Sequence, residues 1–150
     1  MTAVSDGTLI APDGTDRSRI LTAGLVAVGG SIAANLVLRL ILGPLLNLDP
    51  AFMPFGLGPI LFFTALSTTI GSLLFWALAR LTARPARLFT IVAAVVFVLM
   101  LIPNLVFASN PAAAPFPTAN PGNFLTLIVF HIAPALISVW ALTRLTRARA

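Results

Sequence analysis

In 150 residues this chain is 59% apolar and only 9% charged. A soluble domain averages about half apolar and a quarter charged, and a soluble core of this size could not hide so much apolar surface. Cys is absent, which excludes disulfide frameworks, thiolate metal sites and thiol redox relays. Lys and Glu are missing too, so every positive side chain is Arg and every negative one Asp, and the net charge of +5 sits beside apolar segments. That placement reads as membrane topology and not as a nucleic-acid surface.

Met1 to Ser18 is polar and aperiodic, rich in Gly, Pro, Asp, Ser and Thr, and predicts a disordered cytoplasmic tail over residues 1–18. It has neither the basic start nor the short apolar core of a cleaved signal peptide, so the long apolar run that follows reads as an uncleaved anchor. A four-helix transmembrane domain is expected over 19–146, and a short basic cytoplasmic tail over 147–150. The four apolar runs are Ile20 to Leu42, Leu57 to Ala79, Leu88 to Phe107 and Phe124 to Leu142. Each holds about twenty residues, the length that crosses about 30 Å of hydrocarbon at about 1.5 Å per residue. Gly43-Pro44 is expected to end the first, Gly56, Gly58 and Pro59 to open the second, and Pro85 to start the third. Pro103 and Pro121-Gly122 are expected to bracket the last gap.

Arginine placement sets the orientation. Arg17 and Arg19 precede the first span, Arg80, Arg84 and Arg87 fill the second connection, and Arg144, Arg147 and Arg149 follow the fourth, while the other two connections carry none. The positive-inside rule then puts both termini and the Arg-rich turn in the cytoplasm, with the chain multi-pass in the cell's inner (plasma) membrane. These inner arginines imply a preference for anionic lipids at the cytoplasmic face. Trp76 and Trp140 each stand four residues before an Arg at the inner end of a span, where indole rings and snorkelling guanidinium groups both settle. The segments Trp76 to Thr82 and Trp140 to Thr146 nearly match, as do Arg19 to Thr22 and Arg87 to Thr90. This echo suits two tandem helical hairpins; interface rules alone also favour such endings. The fold class is therefore an all-α membrane protein, a four-transmembrane-helix bundle.

The run Ala33-Ala34-Asn35-Leu36-Val37-Leu38-Arg39, the Arg-Pro-Ala-Arg turn at Arg84 to Arg87, and Phe130-His131-Ile132 in the last span together resemble the four-helix membrane family catalogued as domain of unknown function 6069. The resemblance spans all four helices and implies the same architecture. That family has no established activity, so it transfers no functional residues.

Polar groups within the spans are the candidate site, because each is costly in hydrocarbon. At 100° per residue Gly24, Ser31, Asn35 and Arg39 share one line on the first span, and Thr64, Ser67, Thr68 and Gly71 share one on the second. Asn123, Leu127, His131, Pro134 and Ser138 lie on one face of the fourth. The third has little of this kind and is expected to be the most lipid-exposed. Counted inward, Asn35, Thr64, Ser67 and His131 lie about 10 to 15 Å below the outer surface, with Arg39 one turn nearer it. An outer-half polar layer of Asn35, Arg39, Thr64, Ser67 and His131 is therefore expected. It would be either a hydrogen-bonded packing device or the floor of an outward-opening cavity. Each member also has a structural reading: Asn35 as an interhelical hydrogen bonder, the hydroxyls bonded back to their own helix, Arg39 snorkelling outward, and His131 neutral and bonded. Ala23, Ala27, Gly30 and Ala34 form a small-residue stripe suited to close packing. The outer connections, Pro50 to Phe55 and Pro111 to Pro121, are expected to be irregular, lying in the headgroup layer, capping the bundle or meeting a partner.

Catalysis has little to work with. The one acid outside the tail is Asp49, so paired carboxylates, a Ser-His-Asp set and a one-His, one-Asp metal site are all short of members. No metal or cofactor is expected, and no enzymatic activity. What remains is a structural or accessory membrane protein, associating with itself or a larger complex through its helix faces. The second reading is a bundle that binds, senses or conducts a small apolar or anionic molecule arriving from outside.

Overall fold

The computed structural model describes Ala11 and residues 13–148, and all four expected helices are present. They are α1 (Ile20–Leu45), α2 (Leu57–Leu81), α3 (Pro85–Ser109) and α4 (Pro121–Arg144), with short helical turns at Arg17–Arg19, Met53–Phe55 and Pro111–Ala113. No strand occurs among the described residues. All four helices are long and apolar enough to cross a membrane. A helix is what such sequences must form in hydrocarbon, since it satisfies each backbone N–H and C=O within its own segment.

Most boundaries follow from chemistry at the ends. Pro85 and Pro121 sit in the first helical turn, where the missing N–H would have had no partner anyway. Asn120 caps α4 by accepting from the Asn123 amide at 3.0 Å. Two expected breaks do not occur. Pro44 lies within the last turn of α1, and Pro103 lies inside α3, which runs on to Ser109. A proline removes one i to i−4 bond, which a long apolar helix survives when neighbouring groups compensate. Here the Asn104 side chain donates to the Met100 carbonyl at 2.9 Å, adding a bond next to the one Pro103 deletes.

Consecutive helices run antiparallel, so the chain ends and the α2–α3 turn gather at one end of the bundle, the arginine end. The two longer connections meet at the other, the loop end. α1 packs along α2 and α4, α3 packs along α4 and more lightly on α2, and α2 meets α4 across the middle. This pairing is compatible with tandem hairpins. Only Pro85, Phe89 and Asn104 of α3 are buried, so the third helix faces outward as expected.

Two apolar clusters hold the ends together. At the arginine end Ala23, Ala27, Ala79 and Ala141 are fully buried, and their small size brings the helices close around Phe75 and Phe89, whose rings cross at 5.3 Å. The small-residue stripe of α1 is thus used inside the chain, and a Cβ at Gly30 would stand 3.3 Å from Ile137. At the loop end Phe52 is fully buried and packs on Phe55, Phe116 and Phe124 with ring separations of 5.1, 5.5 and 5.5 Å. Both connections therefore fold over the bundle as a cap, one of the roles open to them from the sequence.

The amino-terminal tail is more ordered than its composition implies. Met1–Ile10 lie outside the described residues, but from Asp13 the expected disorder gives way to a folded segment. Gly14 turns the chain at φ +81°, a conformation that favours glycine. Thr15 bridges to Arg147 and is buried, with Asp16 N bonding Thr146 O at 2.6 Å and Ala148 N bonding Gly14 O at 2.8 Å. The tail has few apolar side chains to bury, so backbone pairing with the other terminus orders it instead.

Replacing Phe52 by Ser should lower stability in mild detergent by about 3 kcal/mol, the usual cost of emptying a buried aromatic site. Phe116→Ser should cost less, because Phe116 is only partly buried. Thermal unfolding followed by tryptophan fluorescence checks this; an unchanged midpoint for Phe52→Ser would contradict the cap.

Candidate functional site

Halfway along the bundle, α1 and α2 are joined by a buried polar contact. Asn35 Nδ2 donates to Thr64 Oγ1 at 2.9 Å, and both residues are buried. Helical phase places them there, since Gly24, Ser31 and Asn35 all lie on the inward line of α1 and all are buried. Thr68 continues the α2 line, its hydroxyl donating to the Thr64 carbonyl at 2.6 Å. The expected line is thus confirmed for Thr64 and Thr68 and corrected for Ser67. Ser67 is exposed on the outer surface of α2 and donates to the Thr64 carbonyl at 3.2 Å. Three residues after Thr64 its side chain has swung about 60° past the contact line, and an outward serine meets its needs from its own helix.

Arg39 and His131 are also satisfied locally. Arg39 Nε donates to the Phe55 carbonyl at 2.8 Å, tying α1 to the turn that precedes α2 beneath the phenylalanine cap. His131 is half-buried, and its Nδ1 pairs with the Leu127 carbonyl at 2.6 Å. A carbonyl can only accept, so Nδ1 carries the proton and Nε2 is the ring's remaining site. Of the five expected members, then, Asn35 and Thr64 bond to each other, while Arg39, Ser67 and His131 bond to main-chain carbonyls. Three buried side-chain atoms on the inner faces of α1 and α4 have no protein partner: Ser31 Oγ, Asn35 Oδ1 and Ser138 Oγ.

The arginine end has the densest charge. Arg17 Nε donates to the Ala79 carbonyl at 2.8 Å, linking the start of α1 to the end of α2. Arg19 pairs with Asp16 at 3.1 Å and reaches the Arg147 carbonyl at 3.5 Å. The Ser18 hydroxyl bonded to Asp16, with its amide and Arg19 beside it, holds that carboxyl below its ordinary value. Arg80 lies over the Trp76 ring at 3.9 Å, the cation–π contact that the Trp-x-x-x-Arg spacing permits on a helix. Arg84, Arg87, Arg144 and Arg147 line a cleft between the start of α3 and the end of α4. Arg149 lies outside the described residues.

Two contributors to the structure, one at each end, are not evident from periodicity. Asp13 Oδ2 accepts from the Ala86 amide at 3.1 Å, capping α3 from a residue far away in sequence, while its Oδ1 accepts from Thr15 N at 3.1 Å. The local signal is Asp13-Gly14, a turn dipeptide in a segment otherwise read as disordered. The other is Phe52, whose loop position gives no hint of complete burial.

A family model described as Family of unknown function (DUF6069) matches residues 15–148. The chain belongs to this family. The match takes in all four helices and the ordered part of the tail, in agreement with the resemblance carried by Asn35, Arg39, the Arg84 to Arg87 turn and His131. Among curated proteins and solved structures, nothing matches the chain.

If the Asn35–Thr64 bond joins α1 to α2, Asn35→Ala and Thr64→Ala should be non-additive. A double-mutant cycle on unfolding in detergent should give a coupling of about 0.5 to 2 kcal/mol, the range for interhelical hydrogen bonds. Strict additivity would show that the pair contributes no mutual stabilisation.

Proposed function

We propose that this DUF6069 member is an integral membrane protein with both termini in the cytoplasm. On this reading it is a structural or accessory component that associates with itself or with a larger membrane complex through its helix faces. The observation that carries the association is a small-residue surface left open on two neighbouring helices. Gly29 and Ala33 are exposed on α1 at i and i+4, and Ser67 and Gly71 follow the same spacing on α2. A Cβ added at Gly29 or Gly71 would meet no atom of this chain within 4 Å. Such small-xxx-small pairs let another helix approach closely, and in lipid close packing drives association in place of the hydrophobic effect.

The filled interior favours this reading over a ligand entering from outside. The phenylalanine cap covers the loop end, the Asn35–Thr64 bond crosses the middle, and Arg39 is engaged with Phe55. The described acids, Asp13, Asp16 and Asp49, all lie outside the four long helices, so among the described residues His131 has no carboxylate partner for acid–base chemistry. No reaction is assigned.

Cross-linking in native membranes tests the association. The wild-type chain should give one discrete higher species, a self-oligomer or a stoichiometric complex, and Gly29→Leu combined with Gly71→Leu should abolish it without lowering the unfolding midpoint. A chain that stays monomeric in the membrane, or an oligomer indifferent to both leucines, would contradict the proposal.

A further inference from the structure

Four of the arginines are concentrated in one place. Arg84 and Arg87 at the start of α3, and Arg144 and Arg147 at the end of α4, line a cleft of about 520 Å³ that Asp13 and Thr15 close from the tail side. None of the four guanidinium groups makes an ion pair or a side-chain hydrogen bond among the described residues. Like charges around a common space repel one another, and an anion placed between them removes that repulsion.

Asp13 is the one acid in the lining, and its carboxylate is already engaged by the amides of Ala86 and Thr15. The chain thus seats an oxyanion of its own at the amino end of α3, where the helix dipole is positive. Four arginines against one aspartate still leave an excess of three positive charges around the cleft. Its height also fits an interface. Trp76 and Trp140 are exposed on the helix surfaces, each about one turn short of the arginines, and indole rings settle where apolar chains meet headgroups.

We infer that the cleft between the start of α3 and the end of α4 binds a phosphate-bearing anion, its oxygens held by Arg84, Arg87, Arg144 and Arg147. Guanidinium is the side chain suited to this, since its planar fork meets two phosphate oxygens at once. Asp13 occupies the first free amide of α3, which directs the ligand to the arginines. The same phosphate chemistry is offered by the headgroup of an acidic phospholipid and by a soluble phosphate compound approaching from the aqueous side. The site stands independently of the association proposed above, because it uses different helices and a different surface.

The test uses the full chain in mild detergent. Native mass spectrometry measures phosphatidylglycerol against phosphatidylcholine, and titration calorimetry measures inorganic phosphate. Arg84→Gln with Arg144→Gln removes two cleft charges, and Arg19→Gln with Arg80→Gln removes two charges from the same end outside the cleft. Matching unfolding midpoints, and binding retained by Arg84→Lys with Arg144→Lys, separate loss of the site from loss of fold. The cleft variant should lose about tenfold or more in affinity while the control pair changes by less than about threefold. Selective retention of phosphatidylglycerol in excess inorganic phosphate identifies the lipid as the source; displacement by phosphate, or phosphate binding alone, identifies a soluble one. Equal losses in the two variants, or no binding of either probe, would overturn the site.

Discussion

A polar group carried into an apolar helix bundle is costly unless it finds a partner there, and most of the structure is organised around that constraint. α1 carries both Asn35 and Arg39, and it packs along α2 and α4. Its inward line begins with small residues that allow close packing and ends with Asn35 bonded to Thr64 and Arg39 bonded to Phe55. α3, with almost nothing polar to protect, is left at the periphery with only three buried residues.

The same constraint separates the two ends. At the loop end, main-chain groups and phenylalanine rings suffice: the guanidinium of Arg39 is taken up by the Phe55 carbonyl and the carboxylate of Asp49 by the Ala51 amide. Seven of the eight described arginines lie toward the other end, where water or headgroups can reach them, and the chain's two ends are tied together there by backbone pairing. Asp13 belongs to both tasks: it fixes the tail to α3 and sets the charge balance of the arginine cleft.

The architecture was legible because length and hydropathy are nearly sufficient for helices of this kind. The α1 and α2 starts at Ile20 and Leu57 coincide with those read from the sequence, while every helix runs two or three residues past the carboxyl end of its apolar run. The misjudged prolines, Pro44 and Pro103, show why: a proline deletes a single backbone bond, and a long apolar helix can run on past it. Helical phase put Asn35 and Thr64 together correctly, but it was too coarse to separate Thr68, which is buried, from Ser67, which is exposed. Phase and depth say which residues are level, whereas the partner a side chain selects depends on the nearest free carbonyl. That is why Arg39 and His131 bond to Phe55 and Leu127 instead of joining the pair. Asp13 was hidden for a different reason, as it acts through a contact distant in sequence from a segment without periodicity, and of Phe52 only the capping role, not the complete burial, could be read.

The central claim is that helix packing closes the bundle interior to bulk water around the Asn35–Thr64 bond. Amide hydrogen exchange of the full chain in lipid nanodiscs tests this most directly. The account predicts that residues 23–35 of α1 and 64–75 of α2 exchange as slowly as the middle of α3, with fast exchange confined to the connections and the tail. Rapid exchange running along Gly24, Ser31 and Asn35 would reveal a water-filled path through the bundle and contradict it.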